Sequence, residues 1–232
     1  MKNKFQVGLP VAQGDVRFGS LRSSRAAFTL IELLTVITII SVVAGLVLAG
    51  AGAASKNAKL KMAEAQRDQL ITFIDGYYAR RNVYPPDNPV NPSNNPLFYE
   101  LAGTTNANGR FSPPGGLSIT AASVQPIFGM GGFINSFNPA GDAGDQPMQT
   151  FIKGLKDNQK MTVSNNINSY TALCVYLPSP YVSPPAPPAP WNYLIAPHAT
   201  NNTTTYDLWV DVKLGGATYR ISNWNKQSQR LN

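Results

Sequence analysis

Residues 25–43 read RAAFTLIELLTVITIISVV: an arginine, two alanines, then an apolar run that contains a single charge, Glu32. From Phe28 to Ala54 there are 27 residues with only that charge, enough at a rise of about 1.5 Å per residue to cross a hydrocarbon core of about 30 Å. A carboxylate in such a setting is unfavourable by roughly 2.5 to 3.5 kcal/mol at the bilayer centre on insertion scales. The run therefore implies a compensating partner for Glu32.

The charges around the run give its orientation. Lys2, Lys4, Arg17, Arg22 and Arg25 precede it with only Asp15 opposing them, which is +4 of the chain's formal +7. Basic residues close to an apolar span stay in the cytoplasm, so everything after Ala54 is carried outward. Residues 28–232 keep 14 basic and 11 acidic side chains, or +3, without a basic stripe of the kind that follows a phosphate backbone; no nucleic-acid partner is expected.

At 232 residues the chain allows one domain of ordinary size and an appendage. With 19 glycines, 19 prolines and only 13% charged residues, loops and short strands are expected outside one long helix. Cys174 is the only cysteine, so no intrachain disulfide forms, and within LCVYL it reads as a small buried apolar residue. His198 is the only histidine, which leaves no His/Cys cluster for zinc and no catalytic triad independent of that residue. An enzyme is not expected.

Three readings of the apolar run follow from its residues. A secretory signal peptide would use Ala51-Gly52-Ala53 as its cleavage site, but the run exceeds the usual 7 to 15 apolar residues and gains nothing from an early carboxylate. A plain membrane anchor would tolerate Glu32 beside the positive end of the helix dipole, an effect of roughly 0.3 to 1 kcal/mol. That reading accommodates the acid without explaining it.

The third reading rests on AFTLIELL at positions 27–34, which resembles the processing signal of type IV prepilins and of the pseudopilins of type II secretion systems. The resemblance implies that a prepilin peptidase cuts between Ala27 and Phe28 and methylates the new amine on Phe28. The leader departs from the family in carrying alanine where glycine is usual before the cut, and in its length. Glu32 lies four residues from that amine, on the same helix face and within reach of a neighbouring subunit's amine. Removing one member of a buried charge pair costs about 3 to 5 kcal/mol, so the carboxylate reads as a pin for the axial register of stacked helices. Leu33, Val36, Ile37 and Ile40 are the expected packing positions between helices, and Gly45, Gly50 and Gly52 the expected place for the helix to loosen in an assembled filament.

Beyond the run, SKNAKLKMAEAQRDQLITFIDGYYARR keeps helical periodicity, with Leu60, Ala63, Leu70, Ile74 and Tyr77 on one stripe. Lys59, Glu64, Asp68 and Asp75 fall largely off it, and the Lys61/Glu64 and Glu64/Arg67 pairs read as a solvated face. Tyr84-Pro85-Pro86 is expected to end the helix near Arg81. The segment YYARRNVYPPDN also resembles the end of the long helix in pseudopilins, although its tyrosines read as core packing rather than a stacking platform.

Residues 82–168 are dense in Asn, Pro and Gly, so regular structure there is expected to be brief. Asp142 and Asp145 fall in a Gly-rich stretch that reads as a solvated loop rather than a calcium site. INSYTALCVYL reads as a strand, and PSPYVSPPAPPAP as an extended proline-rich loop. The final block alternates Tyr206, Leu208, Val210 and Val212 against Asp207, Trp209, Asp211 and Lys213 before Gly215-Gly216, a hairpin signature.

YDLW at 206–209 and ISNW at 221–224 resemble C-terminal elements of the major pseudopilin of type II secretion, where the intervening loop holds calcium. Here that loop offers only Asp207 and Asp211 as weak ligands and carries Lys213 and Arg220, so a simple turn is favoured and no cofactor is expected.

The combined expectation is an α+β pilin fold: leader 1–27, transmembrane and filament-core helix 28–54, amphipathic helix 55–81, and a loop-rich antiparallel β domain 82–232. The resemblance implies a non-enzymatic pseudopilin in the inner membrane, single-pass, with its C-terminal domain in the periplasm and assembled into a periplasmic filament. Its partners would be the prepilin peptidase, copies of itself, other pseudopilins, the inner-membrane assembly platform, and lipid before assembly. A type IV pilus pilin for adhesion, motility or DNA uptake, and a signal-anchored binding protein, remain the alternatives.

Overall fold

The computed structural model describes residues 28–141, 147–164, 168–178 and 188–232. Residues 1–27, the expected leader with Ala27, the Asp142/Asp145 stretch and most of the proline-rich segment lie outside these. The chain divides into two compact units, Met1–Leu48 and Ala49–Asn232.

One helix, α1 (Leu30–Arg81), runs through both. It is unbroken through Gly45, Gly50 and Gly52. It ends three residues before the first tyrosine-proline step: Asn82 takes a left-handed φ of 55° and donates its N–H to the Tyr78 carbonyl at 2.8 Å. Asparagine tolerates that conformation, so Asn82 closes the helix and Pro85-Pro86 only forbid its resumption.

In the second unit α1 meets short elements: α2 (Leu97–Ala102), β1 (Thr104–Ala107), β2 (Arg110–Ser112), β3 (Ile119–Thr120), α3 (Ala121–Phe128) and β4 (Ser136–Phe137). A single 3₁₀ turn at Asp157–Gln159 leads into β5 (Lys160–Ser164), followed by β6 (Ser169–Val175), β7 (Ala189–Pro190), β8 (Asn192–Ile195), β9 (Tyr206–Leu214), β10 (Ala217–Ser222) and β11 (Gln229–Arg230). The strands form three sheets, ordered β3-β2-β1-β4, β5-β6-β7 and β11-β10-β9-β8. The fold is α+β and consistent with the pilin fold; the described strands of the expected antiparallel β domain are divided among three small sheets, with β1 and β4 paired in parallel. The Asn, Pro and Gly density explains this, because it stops each strand before it can collect many neighbours.

The expected stripe of α1 is the floor of the core. Leu60, Ala63, Leu70, Ile74 and Tyr77 are all buried, together with Leu208, Val210, Val212 and Ile221 of the C-terminal sheet and Phe98, Tyr99, Phe128 and Phe133. Gly116 lies so close to Phe98 that a Cβ there would fall 2.2 Å from the ring, a position only glycine fills. The C-terminal hairpin pairs Leu214 with Ala217 across Gly215 (φ 60°) and Gly216 (φ 82°), the two positive angles of a type I′ turn. Cys174 is buried as expected, and burial pushes its thiol up to about 12.

The reading of Glu64 and Arg67 as a solvated face is overturned. Both are buried, at 7% and 6% exposure. Arg67 Nη1 donates to the carbonyls of Ser222 (3.0 Å), Asn225 (2.8 Å) and Lys226 (3.2 Å), while its Nε and Nη2 hold Asp68. Glu64 accepts the Ser228 N–H at 2.9 Å and the Lys61 ammonium at 2.7 Å. Adjacent charges on α1 thus fasten the chain after β10, which has carbonyls to satisfy and little apolar surface of its own. Burial raises the Glu64 carboxyl, but the Lys61 and Ser228 hydrogen bonds and the charges of Lys61 and Arg67 outweigh it, so it titrates below the ordinary glutamate range.

A second polar anchor holds the far end of α1. Glu100, fully buried, accepts the Tyr77 hydroxyl at 2.8 Å and the N–H groups of Ile134 (2.7 Å) and Asn135 (2.9 Å). Asn135 in turn receives Arg81 Nη2 at 2.6 Å.

Arg67→Ala is expected to lose about 2 to 3 kcal/mol of stability by removing a charged donor from three carbonyls, measured as a fall in denaturant midpoint with faster proteolysis after Ser222. Because the Glu64 pKa is lowered on folding, its contribution is fully present above the ordinary glutamate pKa and disappears as pH falls through the lower folded value. The stability difference between the unmodified chain and Glu64→Gln should therefore shrink between about pH 6 and about pH 3 in urea titrations.

Candidate functional site

The motif residues occupy the first turns of α1. Thr29 is the N-cap and Glu32 the third helical residue, spaced as a capping box requires. Glu32 N–H donates to Thr29 Oγ1 at 3.2 Å, and Glu32 Oε2 receives both the Thr29 N–H at 2.9 Å and the Thr29 hydroxyl at 2.7 Å. The Thr-x-x-Glu spacing of a capping box is legible in TLIE at positions 29–32. The carboxylate therefore has a local partner in its own chain, and the acid near the dipole's positive end also starts the helix.

Only one carboxylate oxygen is used this way. Among the described residues Oε1 accepts no hydrogen bond, which leaves it available to a donor from another chain. Phe28, four residues before it, is 78% exposed.

The expected packing positions Leu33, Val36, Ile37 and Ile40 are all exposed, and so are Leu30, Ile31, Leu34, Ile39, Val42, Val43, Leu46, Val47 and Leu48. The helix is apolar on every side over this stretch, and Ile39, Ile40, Val43, Ala44, Val47 and Leu48 line a shallow apolar recess on it. An all-round apolar helix requires lipid or other helices as its surroundings. It is also the one described helix long and apolar enough to cross a membrane.

Three further side chains satisfy their backbone inside the run. Thr35 donates to the Glu32 carbonyl at 2.9 Å, Thr38 to Leu34 at 2.7 Å and Ser41 to Ile37 at 2.7 Å. Their hydroxyls are thereby tolerated in an apolar setting.

Asp207 and Asp211 are not brought together. They stand four residues apart on β9, about 13 Å along the strand. The buried Asp207 receives the N–H groups of Thr200, Asn201 and Asn202 at 2.8 to 2.9 Å and the Asn201 side-chain amide at 3.0 Å. Asp211 holds Arg220 through both oxygens, at 2.8 and 2.7 Å. Among the described residues no group of three or more His, Cys, Asp or Glu converges on a metal position. His198 sits 2.9 Å from Asp87, which also receives the Ile195 N–H.

Compared with known families, residues 22–48 match the prokaryotic N-terminal methylation motif, found in type IV prepilin-like chains. The match contains Ala27, Phe28, Glu32 and all four expected packing positions, and its first six residues precede the described part of the chain. No curated protein and no solved structure matches the sequence. The likeness is therefore confined to this N-terminal segment, where a motif of type IV prepilin-like chains coincides with the apolar first half of α1.

Thr29→Val should remove the acceptor for the Glu32 N–H and weaken the first turn by about 1 kcal/mol. The expected result in lipid nanodiscs is faster hydrogen exchange at Ile31–Leu33, with the rest of α1 unchanged.

Proposed function

We propose that this chain is a pseudopilin, a structural subunit that assembles through the first half of α1 into a periplasmic filament driving type II protein secretion. The observation that carries the proposal is the pairing, within residues 22–48, of a methylation motif with an all-round apolar helix whose single carboxylate, among the described residues, uses only one of its oxygens. Lipid surrounds that helix before assembly, and neighbouring helices replace lipid afterward. Leu33, Val36, Ile37 and Ile40 then pack between subunits.

In this reading prepilin peptidase cuts between Ala27 and Phe28 and methylates the new amine. The Phe28 amine of one subunit meets Glu32 Oε1 of the next, while Oε2 keeps capping its own helix. Two charges that would each be costly in an apolar interior are thereby neutralised, and the axial offset between subunits is fixed. Other pseudopilins and an inner-membrane assembly platform complete the partners.

The YDLW and ISNW segments favour secretion over a surface pilus. They form the start of β9 and the end of β10 with the two residues that follow it, where the Leu208 N–H bonds the Asn223 side chain at 2.9 Å and the Asn223 amide returns to the Tyr206 carbonyl at 2.8 Å. The lone Cys174 also cannot close the disulfide-bounded loop that many surface pilins use.

Mass spectrometry of the mature N-terminal peptide should find Phe28 carrying one added methyl group. An intact leader, or a start after Ala53, would sink the proposal. Glu32→Ala should leave cleavage largely intact and abolish filament incorporation, read by cross-linking in membranes; normal assembly of that variant would show that Glu32 does not set the register.

A further inference from the structure

The C-terminal sheet turns one face to the core and the other away from it. Along β9 and β10, Leu208, Val210, Val212, Tyr219 and Ile221 are buried in the core, so the alternate residues Trp209, Asp211, Arg220 and Ser222 share the opposite face. Pairing across the strands sorts that face into two rows. Trp209 stands directly between Asn192 of β8 and Ser222 of β10; two residues along, Asp211 is followed across the sheet by Arg220 and then by Gln229 of β11. Two strand residues span about 7 Å, so an aromatic row and a polar row run side by side.

Trp224 extends the aromatic row. The residue before it, Asn223, is tied to β9 by its N–H on the Leu208 carbonyl at 3.0 Å, its side-chain amide on the Tyr206 carbonyl at 2.8 Å, and its Oδ1 accepting the Leu208 N–H at 2.9 Å. The Trp224 ring centre sits 5.9 Å from that of Trp209, with the planes 57° apart. Both indoles are half-buried, outside the core cluster that holds Trp191, and they are tilted instead of closed face against face.

The polar row has hydrogen-bonding capacity left. Arg220 holds Asp211 through Nε and Nη2, at 2.8 and 2.7 Å; among the described residues its Nη1 makes no hydrogen bond and each Asp211 oxygen accepts one. The buried hydroxyl of Ser222, across from Trp209, also has no partner among them.

We infer that Trp209 and Trp224, with Asn192, Asp211 and Arg220, form a binding site for an uncharged polysaccharide. Aromatic lining beside a few placed polar groups is the usual build of a ligand site. Charge chooses the occupant: the Asp211–Arg220 pair is neutral, so neither an acidic nor a basic polymer finds an unmatched opposite charge in the row. Lys213 stands two residues beyond Asp211, at the turn. A sugar ring offers a face of C–H groups to an indole and a rim of hydroxyls that both donate and accept, as a carboxylate beside a guanidinium requires. The inference stands on the C-terminal sheet alone and does not depend on how α1 is processed or assembled.

The full chain in lipid nanodiscs is titrated with neutral hexasaccharides of glucose, mannose, galactose and N-acetylglucosamine, and with polygalacturonate as an anionic control, while the indole N–H resonances are followed. At least one neutral hexasaccharide should shift the Trp209 and Trp224 resonances and leave that of the core residue Trp191 in place. Trp209→Ala should weaken that binding about tenfold, the share of one stacked ring, with amide exchange across β9 and β10 unchanged. If that replacement loosens the sheet, Trp209→Phe, which keeps a smaller ring, should weaken binding about threefold. Absence of shifts with every neutral hexasaccharide up to its solubility overturns the inference. So does binding that survives both replacements, binding of polygalacturonate alone that high salt abolishes, or indole shifts that follow protein density without sugar, which would assign the face to contact between copies.

Discussion

The domain depends on the burial of one helical stripe. Leu60, Ala63, Leu70, Ile74 and Tyr77 offer α1 a continuous apolar edge, and none of the three small sheets is large enough to form a core without it. Fully burying each large side chain on that edge is worth about 1.5 to 3 kcal/mol. The short strands of β3-β2-β1-β4 and β5-β6-β7 therefore persist because they share one buried cluster with that helix.

Polar anchoring then fixes how each loop meets that helix. Gln66 gives a clear case, donating to the Tyr176 carbonyl at 2.8 Å and accepting its N–H at 2.9 Å, so that its side-chain amide behaves as one more strand residue at the end of β6. Arg67 gathers the chain after β10, Glu100 the segment around Asn135, and Asp207 the turn at Thr200–Asn202. Each is a buried charge or amide whose partners are backbone groups of irregular segments. That division is physically reasonable: loops have few apolar side chains to bury but many N–H and C=O groups to satisfy.

Glu32 shows how one residue can serve two states. In the single chain it completes the capping box with Thr29 through Oε2, which meets the demands of a helix start in an apolar setting. The proposed assembled state draws on Oε1 alone. A carboxylate has the lone pairs for both, whereas a glutamine would present one acceptor and a donor in their place.

The sequence by itself determined the elements governed by local chemistry: the long apolar run and its length, the processing motif, the stripe from Leu60 to Tyr77, the hairpin over Gly215-Gly216 and the burial of Cys174. In each, the signal is a periodicity or a turn residue acting over a few positions. Only the tertiary structure decided the fates of Glu64, Arg67, Asp207 and Asp211, because their partners lie across the fold in residues such as Ser228 and Ser222 or, for the two aspartates, in backbone N–H groups and an arginine that leave no common ligand site. Charge pattern on a helix reveals which side chains are polar, but whether they face water or a distant carbonyl depends on where the rest of the chain returns. The same limit hid the division into three sheets, since strand neighbours are chosen by closure over α1 and not by the strands' own residues.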